Sequence, residues 1–391
     1  MGKRVGIEAS IAVADTVALC DADVIAAYPI TPQTHVVEHL SEIVANGDLD
    51  AEFIPVESEH SAMSCCIGSS AAGARTFTAT SSQGLALMHE INYVAAALRV
   101  PIVMCVVDRA LSAPINIWND HSDIMGERDT GWIQTFAENA QEAVDMTLHA
   151  FRVAEHPEVT LPVMFNFDGF IVSHMIEPVV MPEKEEVDRY LPPFAPRQRL
   201  DVDHPISMGP VGIPAIYTEA KYAHEVALRN SLPYIEKAWE EFEAIFGRRY
   251  RPVETYRLEG ADVALVTMGS IGETAMTYVD QARDAGVRVG LIRLRLWRPF
   301  PKAAFLEAAR GVKALAVIDR CPTPGGVGGP VALECKSVLY AQKQPPKVVE
   351  FQVGLGGRDV PVQDFDRMVQ SVLAVIAGGP LPEPRFLQVR E

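Results

Sequence analysis

The sequence has no excess of basic residues and no long uninterrupted apolar run. Its 391 residues include 34 Lys and Arg against 51 Asp and Glu, which gives a formal net charge of −17 at pH 7. A surface this acidic argues against binding to nucleic acid or to an anionic membrane. The longest apolar stretch, residues 94–107, is interrupted by Arg99 and is too short to span a bilayer. We therefore expect neither nucleic acid nor a membrane among the partners.

Cysteine is scarce and does not occur in the pairs that hold metal clusters. There are six cysteines and no C-x-x-C motif, so we expect neither an iron–sulfur cluster nor a Cys-rich zinc site in this chain. Most cysteines stand in apolar stretches, as buried thiols of a reducing compartment do. Lys3 and Arg4 begin the chain, but Glu8 and Asp15 interrupt the apolar segment that a signal peptide needs. These features predict a cytoplasmic protein.

What the sequence does contain is a regular alternation of strand-like and helix-like segments. The length suggests two or three domains, and 48% apolar with 22% charged residues is the balance of a folded protein. Apolar runs such as 102–107 alternate with helix-like stretches such as 32–47. For that helix, Thr31 is the expected N-cap, Pro32 the first helical residue and Gly47 the end. This alternation predicts an α/β fold with parallel strands covered on both faces.

The character of the sequence changes twice along the chain. Residues 177–215 are rich in proline and charge and predict an extended linker, followed by a helical stretch at roughly 217–247. Strand–helix alternation resumes near Ala261. The predicted division is a first α/β domain at 1–176, a linker and helical segment at 177–260, and a second α/β domain at 261–391.

Two prolines flank a single threonine where the first apolar strand ends, in YPITP at residues 28–32. Pro29 and Pro32 push the preceding residues, Tyr28 and Thr31, out of the helical region. This predicts a stiff loop that holds Thr31 in one place.

Polar residues follow four strands of the predicted first domain. Because the carboxyl ends of parallel strands meet at one edge of a sheet, where ligands bind, we expect these residues to share a crevice. They are Thr31, Glu59, the segment Ser81–Ser82–Gln83 and the pair Asp108–Arg109.

Three of these residues suit the binding of a small organic acid. Arg109 can hold a carboxylate through two parallel hydrogen bonds, and Thr31 offers a hydroxyl beside a helix N-terminus. Glu59 enters a helix from an apolar strand, so it could be partly desolvated and able to share a proton. Each also has a simpler interpretation: Thr31 as a helix cap, Glu59 as a first-turn acid, and Arg109 as the ion-pair partner of Asp108.

Seven segments, in this order, make the chain similar to one family. Together they resemble the α subunit of the 2-oxoacid:ferredoxin oxidoreductases, of which pyruvate:ferredoxin oxidoreductase is the best known, over nearly the whole chain. The segments are YPITP at 28–32, SEHSAM at 58–63, FTATSSQGLALM at 77–88, DRALSAPINIWNDHSD at 108–123, RDTGW at 128–132, GPVGIPAIYTEAKY at 209–222 and LRLWRPFP at 294–301.

The resemblance implies both a fold and a chemistry. The implied fold is a parallel-sheet α/β domain that binds the pyrimidine of thiamine diphosphate, followed by an α/β domain like the transketolase C-terminal domain. The family uses thiamine diphosphate to cleave a 2-oxoacid beside its carboxylate, passing electrons to iron–sulfur clusters and the acyl group to coenzyme A. Pyruvate is the expected substrate, and aromatic or branched 2-oxoacids such as phenylglyoxylate, or oxalate, are alternatives.

The resemblance also implies residue roles. Glu59 would hydrogen-bond the aminopyrimidine ring and help to deprotonate the thiazolium carbon. The implied cofactor-binding residues are Glu59, Tyr28 and Pro29. The implied substrate-binding residues are Thr31 and Arg109, which would hold the carboxylate, and Ile117, which would line the pocket.

The chain lacks other parts that this chemistry needs. Thiamine enzymes hold Mg²⁺ and the diphosphate with G-D-G followed by N-N, whereas this chain has only FDGF at 167–170. The implied partners are therefore a β subunit with the Mg²⁺–diphosphate site and a [4Fe-4S] cluster, and γ and ferredoxin-like δ subunits or their equivalents. We expect a dimer of such heteromers, and we expect the single chain to be inactive.

Two rival interpretations rest on other motifs. HVVEH at 35–39 matches a zinc-peptidase signature with His35 and His39 one helical turn apart, although both lie opposite the apolar face of their helix, where water is expected. The segments 268–273 and 324–329 are glycine-rich as in nucleotide-binding proteins, but neither is G-x-G-x-x-G, and turn glycines are the favoured interpretation.

A third rival is a non-catalytic subunit that only scaffolds a complex. Intact Thr31, Glu59 and Arg109 argue against it.

Overall fold

Strands and helices alternate along the chain, as the sequence predicts. The computed structural model describes residues 2–383 and 385–390. The strands are β1 (Arg4–Glu8), β2 (Val24–Ala27), β3 (Glu52–Pro55), β4 (Thr76–Thr80), β5 (Ile102–Asp108), β6 (Ile133–Phe136), β7 (Val163–Asp168), β8 (Ile176–Val180), β9 (Val253–Tyr256), β10 (Val263–Thr267), β11 (Val289–Leu294), β12 (Leu296–Arg298), β13 (Ala314–Asp319), β14 (Lys347–Gln352) and β15 (Arg385–Phe386). The helices are α1 (Ala9–Leu19), α2 (Thr34–Asn46), α3 (Glu59–Ala72), α4 (Ser82–Leu98), α5 (Ser122–Gly126), α6 (Ala140–Ala154), α7 (Lys184–Tyr190), α8 (Pro214–Asn230), α9 (Leu232–Phe246), α10 (Ile271–Asp284), α11 (Lys302–Ala308), α12 (Pro330–Leu339) and α13 (Val362–Ile376).

The first sheet has seven strands in the order β12-β6-β7-β5-β4-β2-β3. Its strands are parallel except β12, which runs antiparallel to β6. The central strand β5 reads IVMCVVD, and all seven of its residues are buried. Its first six residues are apolar, and a strand with apolar side chains on both faces is stable only when both faces are covered, which is why helices lie on both sides of this sheet.

The second sheet has six strands in the order β15-β14-β13-β10-β11-β9, of which only the edge strand β9 is antiparallel. The strands β1 and β8 form a separate antiparallel ribbon. The α/β class and the parallel sheets predicted from the sequence are therefore confirmed.

The two α/β units share an apolar core. One cluster of buried side chains contains Met104 and Trp132 from the first unit together with Val266 and Trp297 from the second. Because β12 also completes the first sheet, with Leu296 opposite Thr135, the second unit is joined to the first by both packing and strand pairing.

The start of α2 differs from the prediction. Thr31 is not the N-cap and Pro32 is not the first helical residue, because residues 31–33 form a turn and the helix begins at Thr34. The backbone N–H of Gln33 closes this turn by donating to the carbonyl of Ile30 at 2.9 Å, and its buried side chain anchors the turn by donating to the carbonyls of Tyr28 and Ala79. The predicted end of the helix is confirmed by Gly47, which takes the left-handed conformation at φ +79°.

The stretch after the first sheet is also more structured than predicted. The helical stretch predicted at roughly 217–247 consists of two helices, α8 and α9, which meet at Ser231. Pro233 has no N–H and its ring opposes the carbonyl four residues earlier, so it stops one continuous helix. Most of β8 and all of α7 lie within the predicted linker at 177–215. β8 pairs with β1 and α7 packs on α9, and composition does not reveal these contacts with distant segments.

In the described part of the chain, no helix has both the length and the hydropathy needed to cross a membrane.

Candidate active site

Thr31 and Arg109 lie together at the carboxyl edge of the first sheet. Arg109 donates from Nη1 to the backbone carbonyl of Thr31 at 2.9 Å, and from Nε to the carbonyl of Asn116 at 2.8 Å. The two residues follow β2 and β5, so the parallel sheet brings together segments 78 positions apart. Within the described chain, neither Nη2 of Arg109 nor the hydroxyl of Thr31 has a hydrogen-bond partner of its own, and both are available to a ligand.

Arg109 is held by a buried acid that sequence reasoning missed. The Oδ2 atom of Asp123 accepts two hydrogen bonds, from the backbone N–H of Arg109 at 3.0 Å and from that of Ser82 at 2.9 Å. Burial raises the pKa of Asp123 to about 7, against the opposing effect of these backbone donors. Ser82 has a positive φ of 47°, so the carboxylate fixes an unusual backbone at the end of β4 as well as the end of β5.

The simpler interpretation of Arg109, an ion pair with Asp108, is wrong. Both carboxyl oxygens of Asp108 are buried, and no described residue forms a hydrogen bond with either of them. Burial, together with the nearby Asp123 and Asp168, raises the pKa of Asp108 well above its usual range. Arg109 therefore makes no ion pair with its neighbour in sequence.

Glu59 is the first residue of α3 and is only 7% exposed. Ser58 caps the helix by accepting from the N–H of Ser61 at 3.3 Å, which places Glu59 at the positive end of the helix. No hydrogen bond or ion pair from the described residues reaches its carboxylate. A first-turn acid with only a helix-capping role has no need of burial, so the simpler interpretation does not account for this position.

Gly84 on α4 packs directly against Glu59. A Cβ atom at Gly84 would lie 2.6 Å from Oε1 of Glu59 and 2.5 Å from Oγ1 of Thr80. The Thr80 hydroxyl is itself buried without a partner. Because Gly84 has no side chain, there is room beside it for the carboxylate of Glu59 and the hydroxyl of Thr80. Neither group has a hydrogen-bond partner among the described residues.

The other predicted residues lie around this edge with less direct contacts. Tyr28 is 39% exposed, and its carbonyl accepts from Gln33 Nε2 at 2.9 Å, while Pro29 is exposed.

Ile117 is half-buried beside Asn116, which donates to the carbonyl of Gly356 at 3.1 Å. The loop that carries Ile117 is therefore attached to the second unit. Among the described residues, no hydrogen bond or ion pair joins Glu59 to Thr31 or to Arg109.

A second missed residue, Asp168 of the FDGF segment, connects the two units at this edge. His121 bonds its Oδ1 at 3.0 Å, while Arg320 at 2.7 Å and the backbone N–H of Ser270 at 2.9 Å bond its Oδ2. Burial alone would raise the pKa of Asp168, but Arg320, His121 and Ser270 outweigh it and hold that pKa well below its usual range. Only the motif FDG, at the end of a predicted strand, could have drawn attention to this residue.

The histidines of HVVEH do not converge on one site. His35 Nδ1 pairs with Glu8 at 2.6 Å, whereas His39 Nε2 pairs with Asp15 at 2.8 Å. The expectation that both face water is also wrong in part, because α1 packs on α2 and supplies Asp15, while Glu8 at the end of β1 meets His35. The arrangement does not favour a zinc peptidase.

The glycine-rich segment 324–329 does open a helix, contrary to expectation, since α12 begins at Pro330. However, Asp319 already accepts from the N–H groups of Val331 at 2.8 Å and Ala332 at 3.0 Å. The chain's own carboxylate therefore occupies the position that a nucleotide phosphate would need.

Comparisons with known proteins agree on one family. Residues 16–239 match the profile of the thiamine diphosphate-binding part of pyruvate flavodoxin/ferredoxin oxidoreductase. Residues 261–365 match pyruvate:ferredoxin oxidoreductase core domain II.

Curated relatives match across most of their length. The chain is 47% identical over 362 residues to pyruvate synthase subunit PorA of Pyrococcus furiosus, covering 92% of this chain and 91% of that one. It is 49% identical over 364 residues to PorA of Methanocaldococcus jannaschii, covering 92% of each. It is 45% identical over 360 residues to ketoisovalerate oxidoreductase subunit VorA of Pyrococcus horikoshii, covering 92% of this chain and 91% of the relative.

Solved structures of low identity share the fold. The 2-oxoglutarate:ferredoxin oxidoreductase of Magnetococcus marinus superposes with a TM-score of 0.71 at 19% identity, covering 95% of this chain and 66% of that one. A split-gene transketolase superposes with a TM-score of 0.54 at 13% identity, covering 95% of this chain and 99% of that one.

The family profile that matches residues 16–239 assigns the chain to a class of thiamine diphosphate-binding proteins. More specifically, the chain belongs to the pyruvate:ferredoxin oxidoreductase family, in which it is an α-type subunit.

Proposed function

We propose that this chain is the α subunit of a complex that decarboxylates pyruvate oxidatively, forming an acyl-coenzyme A and passing electrons to iron–sulfur clusters on partner subunits. The observation that carries the proposal is the carboxylate of Glu59, buried and unpartnered within the region that matches the family's thiamine-diphosphate-binding profile. A buried carboxylate without a partner is costly, and a bound ring nitrogen or amine would compensate it.

The residues present fit the pyrimidine end of thiamine diphosphate. Glu59 would hold a ring nitrogen of the cofactor and share a proton with it, and Thr80 beside it offers a hydroxyl with no other partner. Tyr28 and Pro29, at the end of β2, would line the same end of the cofactor. When bound, thiamine diphosphate supplies the carbon that adds to the 2-oxoacid carbonyl and stabilises the charge left by decarboxylation.

Arg109 and Thr31 would hold the substrate carboxylate. Arg109 keeps one guanidinium nitrogen free after its bonds to Thr31 and Asn116, and burial lowers its pKa from the usual value. A guanidinium remains charged after such a shift, so it binds an anion in a largely desolvated place, where the interaction is strong. Ile117 would contact the remainder of the substrate.

Pyruvate is the proposed substrate. The two PorA relatives are 47% and 49% identical to this chain, and the ketoisovalerate relative is 45% identical. The margin is small, so the branched 2-oxoacid is the second candidate. No feature of the described residues favours phenylglyoxylate or oxalate.

The remaining components would come from other chains. A β subunit would hold the diphosphate, its Mg²⁺ and a [4Fe-4S] cluster, and γ and ferredoxin-like δ subunits would complete a dimer of heteromers. The absence of G-D-G and C-x-x-C from the sequence supports this division. Six free cysteines, five of them buried, support a reducing cytoplasm as the place of action.

We also retain the division at 1–176, 177–260 and 261–391 as a proposal. The second family profile starts at residue 261, which supports the later boundary.

The test is a substrate panel on the native complex. The complex is purified, its subunits are identified by mass spectrometry, and pyruvate, 2-ketoisovalerate, phenylglyoxylate and oxalate are assayed with coenzyme A and ferredoxin. We expect the highest kcat/KM for pyruvate and no activity from the isolated chain. Oxidation of a 2-oxoacid by the single chain would refute the division of labour, and a higher kcat/KM for 2-ketoisovalerate would refute the proposed substrate.

A further inference from the structure

Three metal-binding side chains from separate segments converge beside α2. Glu8 ends β1, His35 lies in the first turn of α2, and His174 lies in the turn before β8. One ligand atom from each lies within 4.8 Å of the other two. Two imidazoles and one carboxylate are a typical donor set for divalent transition metals of the zinc class.

The closest of these contacts joins Glu8 and His35. Nδ1 of His35 lies 2.6 Å from Oε1 of Glu8, so a single proton is shared between a nitrogen and an oxygen that are both good metal ligands. The Glu8 side chain is 21% exposed and that of His35 is 42% exposed. An ion can therefore enter from solvent, and water can complete its coordination.

A hydrogen bond holds one nitrogen of His174 in place. Its Nδ1 lies 2.7 Å from Oγ of Ser173, and that hydroxyl in turn accepts from the N–H of Phe170 at 2.8 Å. The imidazole of His174 also faces that of His35, with 4.4 Å between ring centroids. Among the described residues nothing bonds its Nε2. Ligating histidines commonly have one nitrogen held in this way while the other binds the metal.

We propose that Glu8, His35 and His174 bind one divalent transition metal ion, which replaces the proton that Glu8 and His35 share. The ion would join β1, α2 and the turn at 170–174.

The proposed site adjoins the loop that carries Thr31. Gly169, next to the turn at 170–174, packs so closely on Pro32 that a Cβ atom there would lie 2.6 Å from Pro32 Cγ. His35 follows the same loop by three residues. The ion would hold the two segments on either side of the loop, so its role is to position that loop rather than to react.

This site differs from the zinc-peptidase interpretation of HVVEH. His39 takes no part, because Asp15 already holds its Nε2 at 2.8 Å. His39 is therefore a matched control on the same helix.

The test begins with native complex that has been treated with a chelator. Zn²⁺ is titrated into it in a calorimeter, and the melting temperature is measured with and without Zn²⁺. The wild type and His39→Gln should bind one more equivalent of Zn²⁺ per α chain than His174→Gln. That equivalent should raise the melting temperature, and Co²⁺ should give a d–d absorption band with the same stoichiometry. Glu8→Gln should weaken binding by about 10–100-fold or more.

Two results would overturn the proposal. One is equal Zn²⁺ stoichiometry in the wild type and His174→Gln, and the other is loss of the equivalent in His39→Gln. If His174→Gln does not fold, Glu8→Gln on a different segment provides the same comparison. Metal stoichiometry and melting do not depend on the substrate, so failure here leaves the proposed enzymatic function intact.

Discussion

Arg109 donates a hydrogen bond to the backbone carbonyl of Thr31, and this 2.9 Å contact joins the ends of two strands that are not neighbours in the sheet. A second bond, from Nε to the carbonyl of Asn116, leaves one end of the guanidinium free. The side chain is thus positioned by the protein before a ligand arrives, which is how a binding group avoids an ordering cost.

Arg109→Lys should impair substrate binding in the assembled complex. A lysine has no fork with which to bond Thr31, Asn116 and a carboxylate together. Loss of a charged hydrogen bond worth about 1.5–3 kcal/mol corresponds to a kcat/KM for pyruvate lower by roughly 10–150-fold, mainly through KM. Steady-state kinetics would measure this, with Arg310→Lys at an exposed position as the control. Unchanged kinetics in Arg109→Lys and in Arg109→Ala would favour the scaffold interpretation.

Glu59→Gln should reduce turnover without unfolding the chain. The amide has the same shape, and no described protein group bonds the carboxylate, so stability should change little. If Glu59 shares a proton with the cofactor, kcat should fall by about 10²–10⁴. Turnover and melting temperature would be compared with those of Glu57→Gln, two residues earlier and exposed. A Glu59→Gln complex with wild-type turnover would contradict the proposed role.

Gly84→Ala should be harmful where Gly68→Ala is harmless. The Cβ at Gly84 would lie 2.6 Å from Glu59 Oε1, whereas the one at Gly68 meets nothing within 4 Å. We expect Gly84→Ala to cost about 1–3 kcal/mol of stability and to displace Glu59, lowering turnover. Gly68→Ala should be neutral or stabilise by up to about 1 kcal/mol. Chemical denaturation measures both, and equal effects would mean that the close packing at Gly84 is relieved elsewhere.

Asp168→Asn should destabilise the joint between the two units. Arg320 is only 2% exposed, and removal of the negative charge would leave its guanidinium buried without compensation. The expected loss is roughly 3–5 kcal/mol. Asp262→Asn, which removes partners from the exposed Arg288 and Lys313, should cost no more than about 1 kcal/mol. Similar losses of stability in the two variants would show that the buried ion pair of Asp168 and Arg320 stabilises the protein no more than an exposed ion pair does.

Asp108→Asn should make stability less dependent on pH. The folded pKa of Asp108 lies well above the value of about 3.9 for an unfolded Asp, so above about pH 4 the folded state retains a proton that the unfolded state has lost. Its contribution therefore falls as the pH rises towards the folded pKa. The decline in melting temperature between pH 5 and pH 8 should be smaller in Asp108→Asn than in the wild type. An identical pH profile would mean that Asp108 is ionised in the folded protein.

Much of the secondary structure could be predicted from local sequence. The apolar run of β5 indicates a strand buried on both faces, and Ser58 and Gly73 indicate the ends of α3. These signals lie within a few residues of the elements they define, so one sequence is enough to read them. The break at Ser231 was missed because the helical pattern continues on both sides of it.

The sequence predicts the members of a candidate site but not their contacts. Strand ends placed Thr31, Glu59 and Arg109 at one edge, yet nothing in the sequence showed that Arg109 bonds the carbonyl of Thr31 rather than its hydroxyl. Asp123 and Gln33 were not predicted because they bond backbone groups of distant segments: Asp123 bonds Arg109 and Ser82, 14 and 41 residues away, and Gln33 bonds Ala79, 46 residues away.

The sequence by itself determined the alternation of strands and helices, the acidic surface and the types of residue that follow each strand, since these depend on composition and on neighbours along the chain. Only the tertiary structure decided which of those residues meet, how Gly84 makes room for Glu59, and why the pKa of Asp108 is raised while that of Asp168 is lowered. The physical reason is that burial and charge act through space: Asp168 has Arg320 beside it and Asp108 has no cation bonded to it, although both are carboxylates at the ends of adjacent parallel strands.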